Sequence, residues 1–154
     1  MPRSAADRPT SDTRMPITRR WTLASDLSLI EPVVGDIVAL CVTAGFSARH
    51  CNLNVPVAVT EAMANAMLRG NDSDCARTVQ VRVVLDAQRL LVDVIDEGGG
   101  FDLSMVQQSP DDVDWFERED GRGVFLMRSL MDHVENATPD AQAGHGVRLI
   151  LHRT

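Results

Sequence analysis

The sequence predicts an α/β domain of the α+β kind, and three observations carry that expectation. Two segments, residues 27–44 and about 54–68, carry apolar residues at helical spacing. An alternating run, Val79–Leu85, and a second β-rich run, Leu90–Ile95, are separated by Asp86-Ala-Gln-Arg89, which reads as a hairpin. An amphipathic run from Gly121 leads to a last alternating segment, Val147–Leu151. The chain has 154 residues, which suits one domain with a sizeable core.

Taken in order, residues 1–15 are rich in Pro, Ser, Asp, Arg and Thr without apolar periodicity, and read as a disordered tail ahead of a domain spanning 16–154. In Ile17–Leu23 the apolar positions Ile17, Trp21 and Leu23 alternate with polar ones, as in a half-buried strand at a sheet edge. Ser25 or Asp26 then offers an N-cap. Leu27, Ile30, Val33, Val34, Ile37, Val38, Cys41 and Ala44 follow at helical spacing, with Pro32 admissible in the first turn and Gly45 as the stop. The second helix is expected to start near Asn54, with Pro56 in its first turn, and to run to about Leu68; a start at Ser47 would put Pro56 inside it. Ala58, Ala62, Met63, Ala66 and Met67 form its inward face, and Gly70-Asn71 ends it. Residues 71–76 read as a polar loop. From Asp102 to Asp120 no period is present, and a loop of that length suggests a lid. Trp115-Phe116 within it would either cover something apolar or anchor the loop. Val124, Leu126, Met127, Leu130 and Met131 then give a helix starting at the glycine turn, with His133 and Val134 leading out of it.

Composition narrows the function classes. Apolar residues make up 44% and charged residues 24%, ordinary for a soluble globular protein. The net charge of −7 argues against direct binding to nucleic acid or an anionic membrane. No apolar run is long enough to span a bilayer and no export signal is evident, so a cytoplasmic location is expected. Cys41, Cys51 and Cys75 have neither the count nor the spacing of a disulfide framework or a zinc site.

Chemistry concentrates in three stretches. In Glu61-Ala-Met-Ala-Asn65 a carboxylate and a carboxamide are four residues apart, so both project from one helix face. The first can accept a proton and the second can ligate a hard cation such as Mg²⁺. Asp96-Glu-Gly-Gly-Gly-Phe-Asp102 and Gly121-Arg-Gly123 are glycine turns, which let a phosphate or a base approach the backbone closely.

In this order the three stretches resemble, respectively, the N-box and the first and second glycine boxes of the gyrase/histidine-kinase/MutL ATPase superfamily. The helix Val-Phe-Leu-Met-Arg-Ser-Leu-Met-Asp132 after the second box is similar to that of the bacterial anti-sigma-factor serine kinases. The resemblance covers about residues 17–154. It implies a two-layer α/β sandwich with a mixed, mostly antiparallel sheet, helices on one face, and ATP held between the helices and a lid. It implies that Asn65 ligates Mg²⁺, Asp96 accepts a hydrogen bond from the adenine amino group, and Gly98 lets the base lie close. Gly100 would shape the turn into the lid. Gly121 and Gly123 would offer amides to phosphate, Arg122 could reach a phosphate oxygen, and Glu61 would be the general base. One departure is Arg69-Gly70, where the family commonly has His followed by Gly or Ala.

The implied activity is phosphorylation of a serine or threonine on a STAS-type antagonist, with sequestration of a sigma factor. The implied assembly is a homodimer, for which the edge strand at 17–23 is the candidate contact. Two alternatives use the same boxes: an ATP-holding docking module without transfer, and the catalytic half of a histidine kinase. Glu61 favours transfer, because a module that only binds needs no base there.

Overall fold

The computed structural model describes residues 16–98, 119–137 and 145–154. The expected tail at 1–15, Gly100, and Trp115 and Phe116 of the expected lid lie outside the described residues.

The first strand, β1 (Ile17–Ala24), is followed by a short 3₁₀ turn at Leu27–Leu29. Asp26 caps that turn, its Oδ1 accepting from Ser28 N at 2.9 Å and Ser28 Oγ at 2.7 Å. Helix α1 (Ile30–Thr43) carries Pro32 in its first turn, where a missing N–H costs nothing. Ile30, Val33, Val34, Ile37 and Cys41 are buried, whereas Leu27, ahead of the helix, is exposed.

The second helical run starts earlier than expected. Ser47 Oγ accepts from His50 N at 3.2 Å, and a π-helical stretch, His50–Asn54, leads into α2 (Val55–Asn65). Pro56 therefore lies inside continuous helix. Proline has no N–H to return to the preceding turn, and its ring crowds the carbonyl four residues back. The wider turn, in which Val55 N bonds to His50 O, accommodates both effects. A second π stretch, Ala66–Gly70, ends the run. The whole expected inward face of this helix is buried, joined by Val55 and Val59.

Strands β2 (Thr78–Leu85) and β3 (Arg89–Ile95) form the expected hairpin. Asp86 closes it, with Oδ1 accepting from Gln88 N and Arg89 N at 2.7 and 2.8 Å. Helix α3 (Glu119–Leu130) begins two residues before the glycine turn and contains it. Then come β4 (His133–Ala137) and β5 (Gly146–His152). The short strand β4 was not expected: of its five residues only Ala137 is buried, so no alternation marks it.

The sheet order is β1-β2-β3-β5-β4, and all four pairings are antiparallel. The expected mixed sheet is thus purely antiparallel among the described strands, and β1 is an edge as expected. Val79, Val81, Val83, Leu85, Leu90, Val92, Val94, Val147, Leu149 and Leu151 share one core with the buried residues of the three helices. Each such side chain contributes about 1.5–3 kcal/mol of burial free energy. On the other face Arg82, Asp93 and Arg148 stand side by side on β2, β3 and β5. The buried Asp93 takes a two-pronged bond from Arg148, at 2.7 and 2.9 Å, and a longer one from Arg82 at 3.4 Å.

Candidate functional site

Helices α2 and α3 lie antiparallel, and a contact at each end fixes their register. At one end Asn54 Nδ2 donates to Leu130 O at 2.6 Å, engaging a last-turn carbonyl of α3. At the other end Gly123 lies against Glu61 and Asn65. A Cβ built on Gly123 would stand 2.8 Å from Glu61 Oε2 and 3.3 Å from Asn65 Nδ2. The four-residue spacing predicted that Glu61 and Asn65 share a face; the fold seats the second glycine turn on that face. Both side chains are half-buried. Asn65 Nδ2 is itself buried without a hydrogen-bond partner among the described residues. An unsatisfied buried amide is costly, and a polar ligand at this position would relieve the cost.

The second cluster lies at the far end of the same helical run. Asn65 and Gly70 are five residues apart, about 7 Å along a helix axis. Gly70 abuts the Asp96 carboxylate, and Gly98 abuts the Gly70 carbonyl so closely that neither position has room for a side chain. Asp96, at the end of β3, is buried. Its N–H donates to His145 O and its Oδ1 accepts from Gly98 N, both at 2.9 Å. Burial pushes the Asp96 carboxyl above the usual carboxylate range. The Gly98 amide, His145 and Arg77 oppose that rise without cancelling it. Such a group is an acceptor in a dry setting, where a hydrogen bond discriminates strongly.

The sequence-predicted residues therefore divide. Glu61, Asn65 and Gly123 come together, and Asp96 and Gly98 form a second group joined to them by one helical run. Gly121 lies in the first turn of α3, where amides have no partner inside the helix. Gly123 lies just past that turn, so what it contributes here is the absence of a side chain. Arg122 is exposed on α3. No group of three His, Cys, Asp or Glu side chains among the described residues could hold a metal alone. A cation beside Asn65 would need ligands from a phosphate as well, the usual habit of Mg²⁺.

Three contributors were not singled out from the sequence. Gly70 was read as a helix stop and as the end of the N-box, with no contact to the first glycine box expected, Asn71 as the residue after it, and Arg77 not at all. Arg77 Nη1 would stand 3.3 Å from a Cβ on Gly98. The only available signal was Gly70-Asn71 next to the first box, which by itself is an ordinary helix end.

The fold is a two-layer α/β sandwich with its helices on one face of the sheet, and the chain belongs to the histidine kinase-like ATPase domain family, whose model matches residues 23–151. Among its relatives is the serine-protein kinase RsbW of Bacillus pumilus, 34% identical over 107 residues, covering 64% of this chain and 62% of that protein. The RsbW of Bacillus subtilis is 35% identical over 86 residues, covering 53% and 54%. The chain thus spans between 54% and 62% of the length of these two relatives. A histidine kinase domain from a blue-light-activated histidine kinase of Erythrobacter litoralis aligns with 78% of this chain and 59% of its own, at 22% identity and a TM-score of 0.44. No helix among the described residues is long and apolar enough to cross a membrane.

Proposed function

We propose that this protein is an anti-sigma factor with ATP-dependent serine/threonine kinase activity. It phosphorylates a STAS-type antagonist and, when that antagonist is phosphorylated, sequesters a sigma factor. The observation that carries this reading is the seating of Gly123 on Glu61 and Asn65. It sets a carboxylate and a carboxamide beside the start of a helix, whose free amides and positive dipole end suit a phosphate. The similarity to proteins named serine-protein kinases supports the same direction.

In this reading Asp96 accepts from the adenine amino group, and Gly98 and Gly70 keep the base close to the backbone. Guanine presents a carbonyl where adenine presents that donor, so the carboxylate repels it. Asn65 holds Mg²⁺ together with the ATP phosphates, which supplies charge neutralisation for the triphosphate. Gly121 and Arg122 complete the contacts to the phosphates. Glu61 takes the proton from the attacking serine or threonine hydroxyl. The new O–P bond forms as the bond from the γ-phosphorus to the β–γ bridging oxygen breaks, and ADP leaves. Phosphoryl transfer asks mainly for positioning and charge neutralisation, and this arrangement offers both. The protein works in the cytoplasm as a homodimer, with β1 as the candidate contact.

The test is incubation with γ-labelled ATP and a STAS-type antagonist. Acid-stable label on a serine or threonine is the expected result. Nucleotide binding with no label on the antagonist would leave the docking module in its place, and acid-labile phosphohistidine would point to the histidine-kinase reading.

A further inference from the structure

One side chain ties the turn at Asp96–Gly98 to the rest of the fold. Asn71 is fully buried, at 0% exposure. Its Oδ1 accepts from Glu97 N at 2.8 Å. Its Nδ2 donates to Thr78 O and to Ser25 Oγ, both at 2.9 Å. Ser25 Oγ donates onward to Arg77 O at 2.8 Å, and Thr78 N donates to Glu97 Oε2 at 2.5 Å. The Asn71 amide itself donates to Ala66 O at 2.8 Å, closing the last turn of the helical run that carries Glu61 and Asn65. A single planar carboxamide thus joins four segments: the end of that run, the residue after β1, the start of β2 and the residue beside Asp96.

We infer that Asn71 is a positioning residue for purine recognition, setting where the Asp96 carboxylate stands relative to the helix that bears Glu61 and Asn65. The inference rests on the nucleotide reading above. A carboxamide suits the position because the site asks for one acceptor and two donated bonds from a single group. Aspartate there would keep the acceptor for Glu97 N but lose both donations. It would also set a negative charge against the backbone of Glu97, the residue next to Asp96. The triphosphate end has separate support, since the α2–α3 packing and the Asn54–Leu130 bond hold Glu61, Asn65 and Gly123. Disturbing Asn71 therefore alters recognition of the base while leaving the hold on the phosphates.

The experiment is calorimetric titration of the full chain with Mg·ATP and with Mg·ITP, whose base has a carbonyl in place of the adenine amino group. The parent protein is expected to prefer ATP. In Asn71→Asp the affinity for ATP should fall about tenfold, the size of a lost hydrogen bond to a charged group. The affinity for ITP should stay within about twofold, so the ratio collapses. A role in stability alone would weaken both nucleotides equally, and that result, or an unchanged ratio, overturns the inference. Should Asn71→Asp fail to fold, Ser25→Ala removes one of the two acceptors and leaves Asn71 in place. A ratio lowered by about threefold there supports the inference, and an unchanged ratio overturns it. A parent protein that binds neither nucleotide, or both equally, removes the base-recognition reading itself. A selective parent with an equally selective variant removes only the part assigned to Asn71.

Discussion

Gly123 lies directly over Glu61, with 2.8 Å between the Glu61 Oε2 atom and the position a methyl group on Gly123 would take. The two residues are far apart in sequence, and their meeting joins the N-box face to the second glycine turn. Gly123→Ala is expected to push the Glu61 carboxylate from its place. Alanine is the better helix former by about 1 kcal/mol, so the fold should survive. A displacement near 1 Å at a reacting group costs on the order of 10²-fold in rate. Steady-state transfer to the antagonist, read beside thermal unfolding, checks this; an unaltered rate would contradict it.

Glu61→Gln keeps the shape of the side chain and removes its basicity. Mg·ATP affinity should stay within about twofold of the parent, while transfer falls by about 10²–10⁴-fold. Measuring binding by calorimetry and transfer by label incorporation separates the two effects. Equal loss of both would make Glu61 a binding residue instead.

Asn65→Ala removes the carboxamide whose nitrogen is buried without a partner. Deleting an unsatisfied polar group should cost the empty protein little, less than about 1 kcal/mol. Magnesium-dependent ATP affinity should disappear. Titrating ATP with and without Mg²⁺ tests this, and a variant that still gains affinity from the metal would place the metal ligand elsewhere.

Asp96 carries a stability cost with a definite pH sign. Its carboxyl is raised by burial, so the folded state favours the protonated form. The cost is absent below the unfolded value, near pH 4, and grows as pH rises through the raised folded value. Asp96→Asn retains an acceptor for Gly98 N and has no charge to desolvate. The variant should unfold at a higher temperature than the parent at pH 7, by about 2–4 °C for each kcal/mol relieved, and the gap should close toward pH 4. It should also lose its preference for adenine. Scans at the two pH values decide the matter, and a parent more stable than the variant at pH 7 would contradict the sign.

Asp93 sits between two guanidiniums on the sheet face away from the helices, its side chain 3% exposed. Asp93→Ala leaves Arg148 without its two-pronged partner. Breaking a buried pair on one side costs roughly 3–5 kcal/mol, and partial exposure of both arginines places the expected loss near the lower figure. Denaturant titration measures it. Nucleotide affinity should hold, because Asp93 points away from the helix-covered face.

Much of this protein is written in local pattern. Alternation over Val79–Leu85, where a period of two buries one face, and the β-rich run Leu90–Ile95 specify the hairpin. Helical spacing gave α1 and the inward face of α2. The order of three short boxes announced the ATPase family to which the chain belongs. The same local logic misled at Pro56, where only the surrounding turns could show that a widened helix tolerates proline. It was silent at β4, whose place comes from pairing with β5 and not from its own composition. The seating of Gly123 on Glu61, the contact of Gly98 with Gly70, and the four segments gathered by Asn71 were decided in three dimensions alone. A residue's neighbours along the chain set its periodicity, but these contacts join residues that are brought together only when the helices close on the sheet.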